Sequence, residues 1–299
     1  MPEGDTVHLS AARLHRALAG QKLLTTELRV PRPVRRGSER YLAAISSFAT
    51  ADLSGQVVRE VVARGKHLLL RTDAGVSLHS HLKMEGAWHL YRPGERWRGP
   101  GFQVRAVLRT KPWVAVGFRL AICELLVTER EDEVVGHLGP DVLGPDWDLE
   151  EAARRLRAMP DRPIGVALLD QRAIAGPGNN WKNEICFLRG VNPWTPVREV
   201  ADLEGILALL KQMMEVNRNI GHQVTTGDTR RGRNRWVAER GGEPCLRCGT
   251  PIRRAAQATG DFERVTYWCP TCQPGPGPAT RERPSPRSIP STPEHRPVP

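Results

Sequence analysis

Hydrophobic positions along the chain fall into two regimes. Between Thr6 and Ala19, the residues Val7, Ala11, Leu14 and Leu18 recur every three or four positions, and Gly20 ends the run. That is the spacing of one helical face with a glycine stop, and it predicts a buried N-terminal helix. Pro2 and Gly4 are poor helix-interior residues, and Asp5 or Thr6 is a candidate cap for this helix. From about Lys22 to Thr128 the pattern shortens. "QVVREVVARG", "KHLLLRT", "VSLHSHL", "AWHLY", "FQVRAVLRT" and "AICELLVT" alternate or run apolar over strand-like lengths, and "TDAG" between two of them predicts a hairpin turn. Many short strands predict a β-sandwich or barrel.

After about Gly136 the helical period returns. "DLEEAARRLRAM" and "DLEGILALLKQMMEVNRNIG" are amphipathic helices, and "PIGVALLDQRAI" and "NNWKNEICFLRG" are expected to be helices flanking the breaker "AGPG". A basic connector, "TRRGRNRWVAER", leads to a short cysteine-bearing module. The chain has 25 prolines, and nine lie after Gln273. That segment cannot bury enough apolar surface to order itself and is expected to be disordered. The expected division is an α+β, multidomain chain. It has an N-terminal helix plus β-sandwich over 1–132, a helical domain over 133–235, a β-hairpin zinc finger over 236–273 and a proline-rich tail over 274–299. There are no internal repeats.

Charge narrows the partner. A formal net charge of +11 on 299 residues, with a pI near 10.0, favours a polyanion, most simply nucleic acid. No apolar run is long enough to span a bilayer, so no membrane role is expected. The acidic, turn-forming start is unlike a secretory signal. A reducing cytoplasmic setting is the default, and the six cysteines then need a reason other than disulfides.

Four of them supply one. Cys245, Cys248, Cys269 and Cys272 stand as C-x2-C-x20-C-x2-C, a spacing that lets two pairs of thiolates close a tetrahedral shell around one Zn2+. A shell of four protein ligands leaves no position for water, so the metal is structural. Cys123 and Cys186 lie in apolar runs and are expected in the core. Between the cysteine pairs "FERVTYW" is expected to form one limb of a hairpin, with Arg253 and Arg254 on the other. Strand alternation would turn Arg264 and Thr266 away from the packed side and Val265 toward it.

Chemistry enters at the chain start and at two interior motifs. If Met1 is removed, Pro2 is a secondary amine beside Glu3. A terminal amine titrates near pH 8, against roughly 10.4 for lysine, so more of it is neutral and nucleophilic under physiological conditions. The alternative is that "PEGD" only leads into a helix. "AGPGNNW" places Asn179 at a helix start, where it caps the helix or holds a phosphate beside the backbone N–H groups. Lysines are few, and Lys66, in "RGKHLLL", precedes a buried-looking strand.

Taken together, "PEG", "RGKHL", "LLDQRAIAGPGNNWKNEICF" and "GEPCLRCGTPI…RVTYWCPTCQ" resemble the formamidopyrimidine-DNA glycosylase and endonuclease VIII family, from Met1 to about Gln273. The resemblance implies a helix-two-turns-helix domain over 133–235. It also implies a bifunctional DNA glycosylase and abasic-site lyase of base excision repair, acting as a monomer on damaged double-stranded DNA in the bacterial cytoplasm, at the nucleoid. It implies Pro2 as the nucleophile that forms a Schiff base, Glu3 as general acid/base, and strand cleavage by β,δ-elimination. Lys66, Asn179 and Arg264 would hold phosphates around the flipped nucleotide. "HLKMEG" is similar to the formamidopyrimidine branch and makes Met84 a candidate to fill the void left by the base. The "PEG" start points instead to the endonuclease VIII branch and oxidised pyrimidines. Where the family carries a proline and a further glutamate, this chain has Asp5 and Thr6, so no second carboxylate is assigned. The competing class is a non-catalytic damaged-DNA-binding zinc-finger protein, which would need neither Pro2 nor Glu3. An RNA-associated zinc-ribbon protein would explain the charge but not the N-terminus.

Overall fold

The computed structural model describes residues 2–29, 52–259 and 262–278. Met1 and the tail beyond 278 lie outside the described residues, and with them the expectations about methionine removal and most of the tail. Residues 274–278, assigned to that tail, are described, and Gly275 packs against the side chain of Asn192.

Helix α1 (Gly4–Leu18) turns Val7, Ala11, Leu14 and Leu18 inward, as their spacing predicts. Eight strands follow: β1 (Thr25–Leu28), β2 (Val58–Arg64), β3 (His67–Thr72), β4 (Val76–His81), β5 (Ala87–Tyr91), β6 (Val104–Arg109), β7 (Val114–Phe118) and β8 (Ile122–Val127). They form two four-stranded antiparallel sheets, ordered β2-β3-β4-β8 and β1-β6-β7-β5. This is a sandwich rather than a barrel. Alternation divides the first sheet cleanly. Leu68, Leu70 and Leu78 face α1 and the second sheet in the main core. Leu69 faces the other way and packs with Val135, Leu138 and Ala175, which seats the helical part on the sheet's outer face.

That part contains α2 (Asp132–Val135), α3 (Leu149–Arg157), α4 (Ile164–Ala167), α5 (Asn179–Leu188) and α6 (Leu203–Asn217). The Asp148 and Asp202 side chains cap α3 and α6. "PIGVALLDQRAI" is helical only over Ile164–Ala167. Its apolar period is real, since Ile164, Ala167, Leu168 and Ile174 are buried together, but residues 168–178 make turns instead. Gln171 replaces the missing helix bonds: its Nε2 donates to the Leu169 and Pro177 carbonyls, and its Oε1 accepts from Gly176 N–H.

The cysteine module carries the expected hairpin, β9 (Arg253–Thr259) and β10 (Phe262–Trp268). The facing of its outgoing limb is the reverse of expectation. Thr266 is fully buried against α5 and Val265 is 45% exposed. The limb packs on a helix, and the face that carries Arg264 and Thr266 is the one turned toward it.

Candidate active site

The cleft is assembled by two glycine-dependent close approaches and one buried hydrogen bond between chain segments. Gly65 and Lys66 form the two-residue tip of the β2–β3 hairpin, where Arg64 pairs with His67. Gly65 sits at φ +57, and a Cβ there would meet that of Ala175 at 3.2 Å, so only glycine suits this left-handed, tightly opposed position. Asp141, buried between the two parts, accepts the Gly65 N–H at 2.6 Å. Gly4 donates to the Gly176 carbonyl at 2.9 Å, and a Cβ at Gly4 would meet the Gly176 Cα at 2.8 Å. Chain start, hairpin tip and "AGPG" turn are thereby fixed to one another.

Glu3 is completely buried at this junction. Its carboxylate accepts the backbone N–H groups of Gly178 (3.0 Å), Asn180 (2.8 Å) and Trp181 (3.3 Å). It therefore caps α5 from outside the helical part, against the positive end of the helix dipole. Of the N–H groups at the start of α5, those of Gly178, Asn180 and Trp181 are thereby taken by Glu3 rather than open to a phosphate. Nor does Asn179 cap the helix through its side chain. Its Nδ2 donates to the Val265 carbonyl at 2.8 Å, tying α5 to β10.

Above Glu3 opens a cleft of about 1190 Å³. Pro2, Lys66, Met84, Asn179 and Arg264 all line it, so five positions far apart in sequence share one surface. Met84 stands 55% exposed on its rim. The Lys66 amine is pushed down to about 8 by burial and by Arg264, against the pull of Glu3 and Asp5.

Four further residues escaped the sequence reading. Asp5 is a buried carboxylate near Glu3, though it does not line the cleft. It lies in the first turn of α1 and is pushed up to about 6 by burial and by Glu3. His81 lines the cleft, and its Nδ1 accepts the Lys83 N–H at 2.9 Å, which leaves the proton on Nε2. Lys182, in α5, is 1% exposed, and its amine donates to Thr266 Oγ1 at 2.6 Å. Burial lowers that amine to about 7. Gln223 reaches Glu3 at 3.4 Å. Only the H-x-H pattern of "LHSHL" offered a signal for any of them.

The four cysteine sulfurs lie within 4.8 Å of one another, with separations of 3.5–4.0 Å for the pairs in contact. A disulfide needs about 2.05 Å. A tetrahedral shell with Zn–S near 2.3 Å places sulfurs about 3.8 Å apart, so Cys245, Cys248, Cys269 and Cys272 fit one structural zinc. Cys123 and Cys186 are buried, as expected of core residues.

Comparison with known proteins accounts for the same three parts. Residues 1–120 match the formamidopyrimidine-DNA glycosylase N-terminal domain, 138–227 its H2TH domain, and 242–275 the zinc finger found in FPG and IleRS. The chain is 50% identical to a probable endonuclease 8 2 of Streptomyces coelicolor, over 93% of this chain and 96% of that one. It is 47% identical to the DNA-(apurinic or apyrimidinic site) lyase Nei2 of Mycolicibacterium smegmatis, over 91% and 99%. Among solved structures, MutM in complex with carbocyclic 8-oxo-G containing DNA superposes with a TM-score of 0.74 at 23% identity, covering 91% of this chain and 99% of that one, a likeness of fold. With matching N-terminal, helical and zinc-finger parts in order, and relatives aligned over nearly their whole length, the chain belongs to the formamidopyrimidine-DNA glycosylase and endonuclease 8 family.

Proposed function

We propose that this protein is a bifunctional DNA glycosylase and abasic-site lyase that removes oxidised bases from double-stranded DNA. The observation that carries it is the placing of Pro2 in the cleft directly beside a buried carboxylate, with Lys66 and Arg264 on the same walls. A binding protein has no use for that arrangement.

With Met1 removed, the Pro2 amine attacks C1′ of an extruded nucleotide and the base departs. Glu3, held as an acceptor by three N–H groups, manages the proton at this step. The resulting iminium acidifies C2′–H, and loss of the 3′- and then the 5′-phosphate follows. Lys66 and Arg264 hold phosphates, His81 offers an Nε2–H donor to another, and Asn179 lies beside them on the cleft wall. Met84 fills the space vacated by the base. Zinc supplies no chemistry here; it fixes the hairpin that presents Arg264. The "PEG" start supports oxidised pyrimidines as the preferred bases. Chromosomal duplex as substrate places the enzyme, as a monomer, at the bacterial nucleoid. No helix among the described residues is long and apolar enough to cross a membrane.

The test is incubation with a duplex carrying one oxidised pyrimidine. Free base and a one-nucleotide gap with phosphate at both ends support the proposal. Tight binding with an intact strand would favour the non-catalytic class.

A further inference from the structure

Behind His81 in the cleft wall lies a group of buried polar side chains to which the reaction as described gives no role. On the outer face of the first sheet, the face that meets the helical part, β3, β4 and β8 place His67, His79, His81 and Glu124 together. His67 is directly opposite His81, and His79 directly opposite Glu124. Glu124 Oε1 lies 2.8 Å from His79 Nδ1, and His79 Nε2 lies 2.8 Å from His67 Nδ1. The rings of His67 and His79 stack at 5.1 Å, and His67 meets His81 edge-on at 4.8 Å. His79 is 1% exposed. In this array hydrogen bonds join the partly exposed Glu124 to His79 and His79 to His67, and His67 then meets His81, a residue of the cleft, by ring contact.

Its proton pattern is determined by its ends. While Glu124 is a carboxylate it only accepts, so His79 carries its proton on Nδ1. His79 Nε2 is then an acceptor, and His67 must donate from Nδ1. Burial, and for His67 and His81 the neighbouring histidines and Lys83, push these imidazoles down to between about 3 and 4, so they stay neutral across the physiological range. At the far end, Lys83, at φ +49, directs its N–H onto His81 Nδ1.

We propose that Glu124, His79 and His67 are positioning residues for the cleft: they hold the ring of His81 so that its Nε2–H meets a backbone phosphate of the bound DNA. The proposal rests on reading the cleft as a DNA site. It adds that the aim of this uncharged donor, already placed on a phosphate, is set from Glu124 through His79 and His67. His79 ties Glu124 to His67 by two hydrogen bonds, and His67 is the wall against which His81 stands. Removing the carboxylate frees His79 to move its proton to Nε2. Two donors then face each other between His79 and His67, and the stack must shift or His67 must change tautomer as well.

The test compares full-length, zinc-loaded Glu124→Leu, Glu124→Gln, His79→Leu and His81→Leu with wild type. The probe is a duplex containing a tetrahydrofuran abasic analogue. Glu124→Leu, His79→Leu and His81→Leu are each expected to weaken binding about tenfold at fixed salt, as for one lost hydrogen bond to a charged acceptor. The slope of log Kd against log salt should stay unchanged, because no cationic contact is lost. Glu124→Gln keeps an oxygen that accepts from His79 and should bind like wild type. The nitrogen NMR shifts of His67 should report the Nδ1–H form in wild type and Glu124→Gln, and a mixture in Glu124→Leu. Wild-type affinity in both Glu124→Leu and His79→Leu, with His81→Leu impaired, would reduce the array to packing. Wild-type affinity in His81→Leu would overturn the proposal at its root. The enzymatic reading would stand apart from either result so long as Pro2 still forms a trapped adduct.

Discussion

Glu3 and Asp5, two residues apart, show how one backbone turn sorts two carboxylates. Glu3 is matched by three N–H donors and a helix dipole. Asp5 receives its own helix's Thr6 N–H and is held near 6 by burial and by Glu3. Its folded value lies above the unfolded 3.8, so its contribution favours the fold below pH 3.8 and is lost as the pH rises through about 6. At pH 8 the native protein therefore carries a cost on the order of 1–3 kcal/mol at Asp5. Asp5→Asn should raise the melting temperature at pH 8 and leave it nearly unchanged at pH 4, measured by thermal unfolding; an equal shift at both would remove the charge from the explanation. Glu3→Gln turns an amide group toward N–H donors and should cost roughly 1–3 kcal/mol of stability. It should also lose base excision more severely than cleavage of a pre-formed abasic site, where no base need depart. Equal losses on the two substrates would sink the acid/base role. At this scale the sequence was uneven. Pro2 and Glu3 were legible because an amine and an acid stand together at the chain start. Asp5 and Lys182 were not, because a charged residue signals burial only once its neighbours are known.

At the scale of elements, α5 and β10 act as a unit. Asn179 bonds the Val265 carbonyl, Lys182 bonds Thr266, and Asn183 accepts the Tyr267 N–H. Three side chains from one helix thereby fix the strand that presents Arg264 to the cleft. A surface cation contributes little and is screened, whereas an arginine so positioned on a phosphate is worth on the order of 1.5–3 kcal/mol. Arg264→Ala should keep stoichiometric zinc yet weaken lesion-DNA binding by roughly tenfold or more. Arg253→Ala, on the exposed limb, should do much less. Equal affinities at one salt concentration would make Arg264 an ordinary surface charge. The hydrophobic pattern revealed α1, the long helices and six strands. It did not reveal β7, whose five residues are all buried, so no alternation marks it. It also failed at residues 168–174, where a side-chain amide rather than backbone periodicity determines the path. The reversed facing of Val265 and Thr266 has the same origin: alternation gives two faces but not which one meets a helix.

In the whole molecule, the proposed catalysis depends on holding three separate parts in register. The amine and Lys66 come from the sandwich, the capped helix from the helical part, and Arg264 from the zinc module. The hairpin is too small to keep a core of its own without metal. Chelating zinc should therefore abolish DNA binding while the strand signal of the sandwich persists, followed by circular dichroism and restored by re-addition of zinc. A chelated protein that still bound lesion DNA would separate the finger from the site. The proposed mechanism rests on one nucleophile, and that nucleophile can be located directly. Incubation with abasic-site DNA and borohydride, followed by proteolysis and mass spectrometry, reads which amine has been reduced onto the sugar. The expected result is a single adduct on the N-terminal peptide, at the nitrogen of Pro2, with Met1 gone. An adduct on Lys66 or Lys182 instead, or none despite a free Pro2 and intact binding, would contradict it.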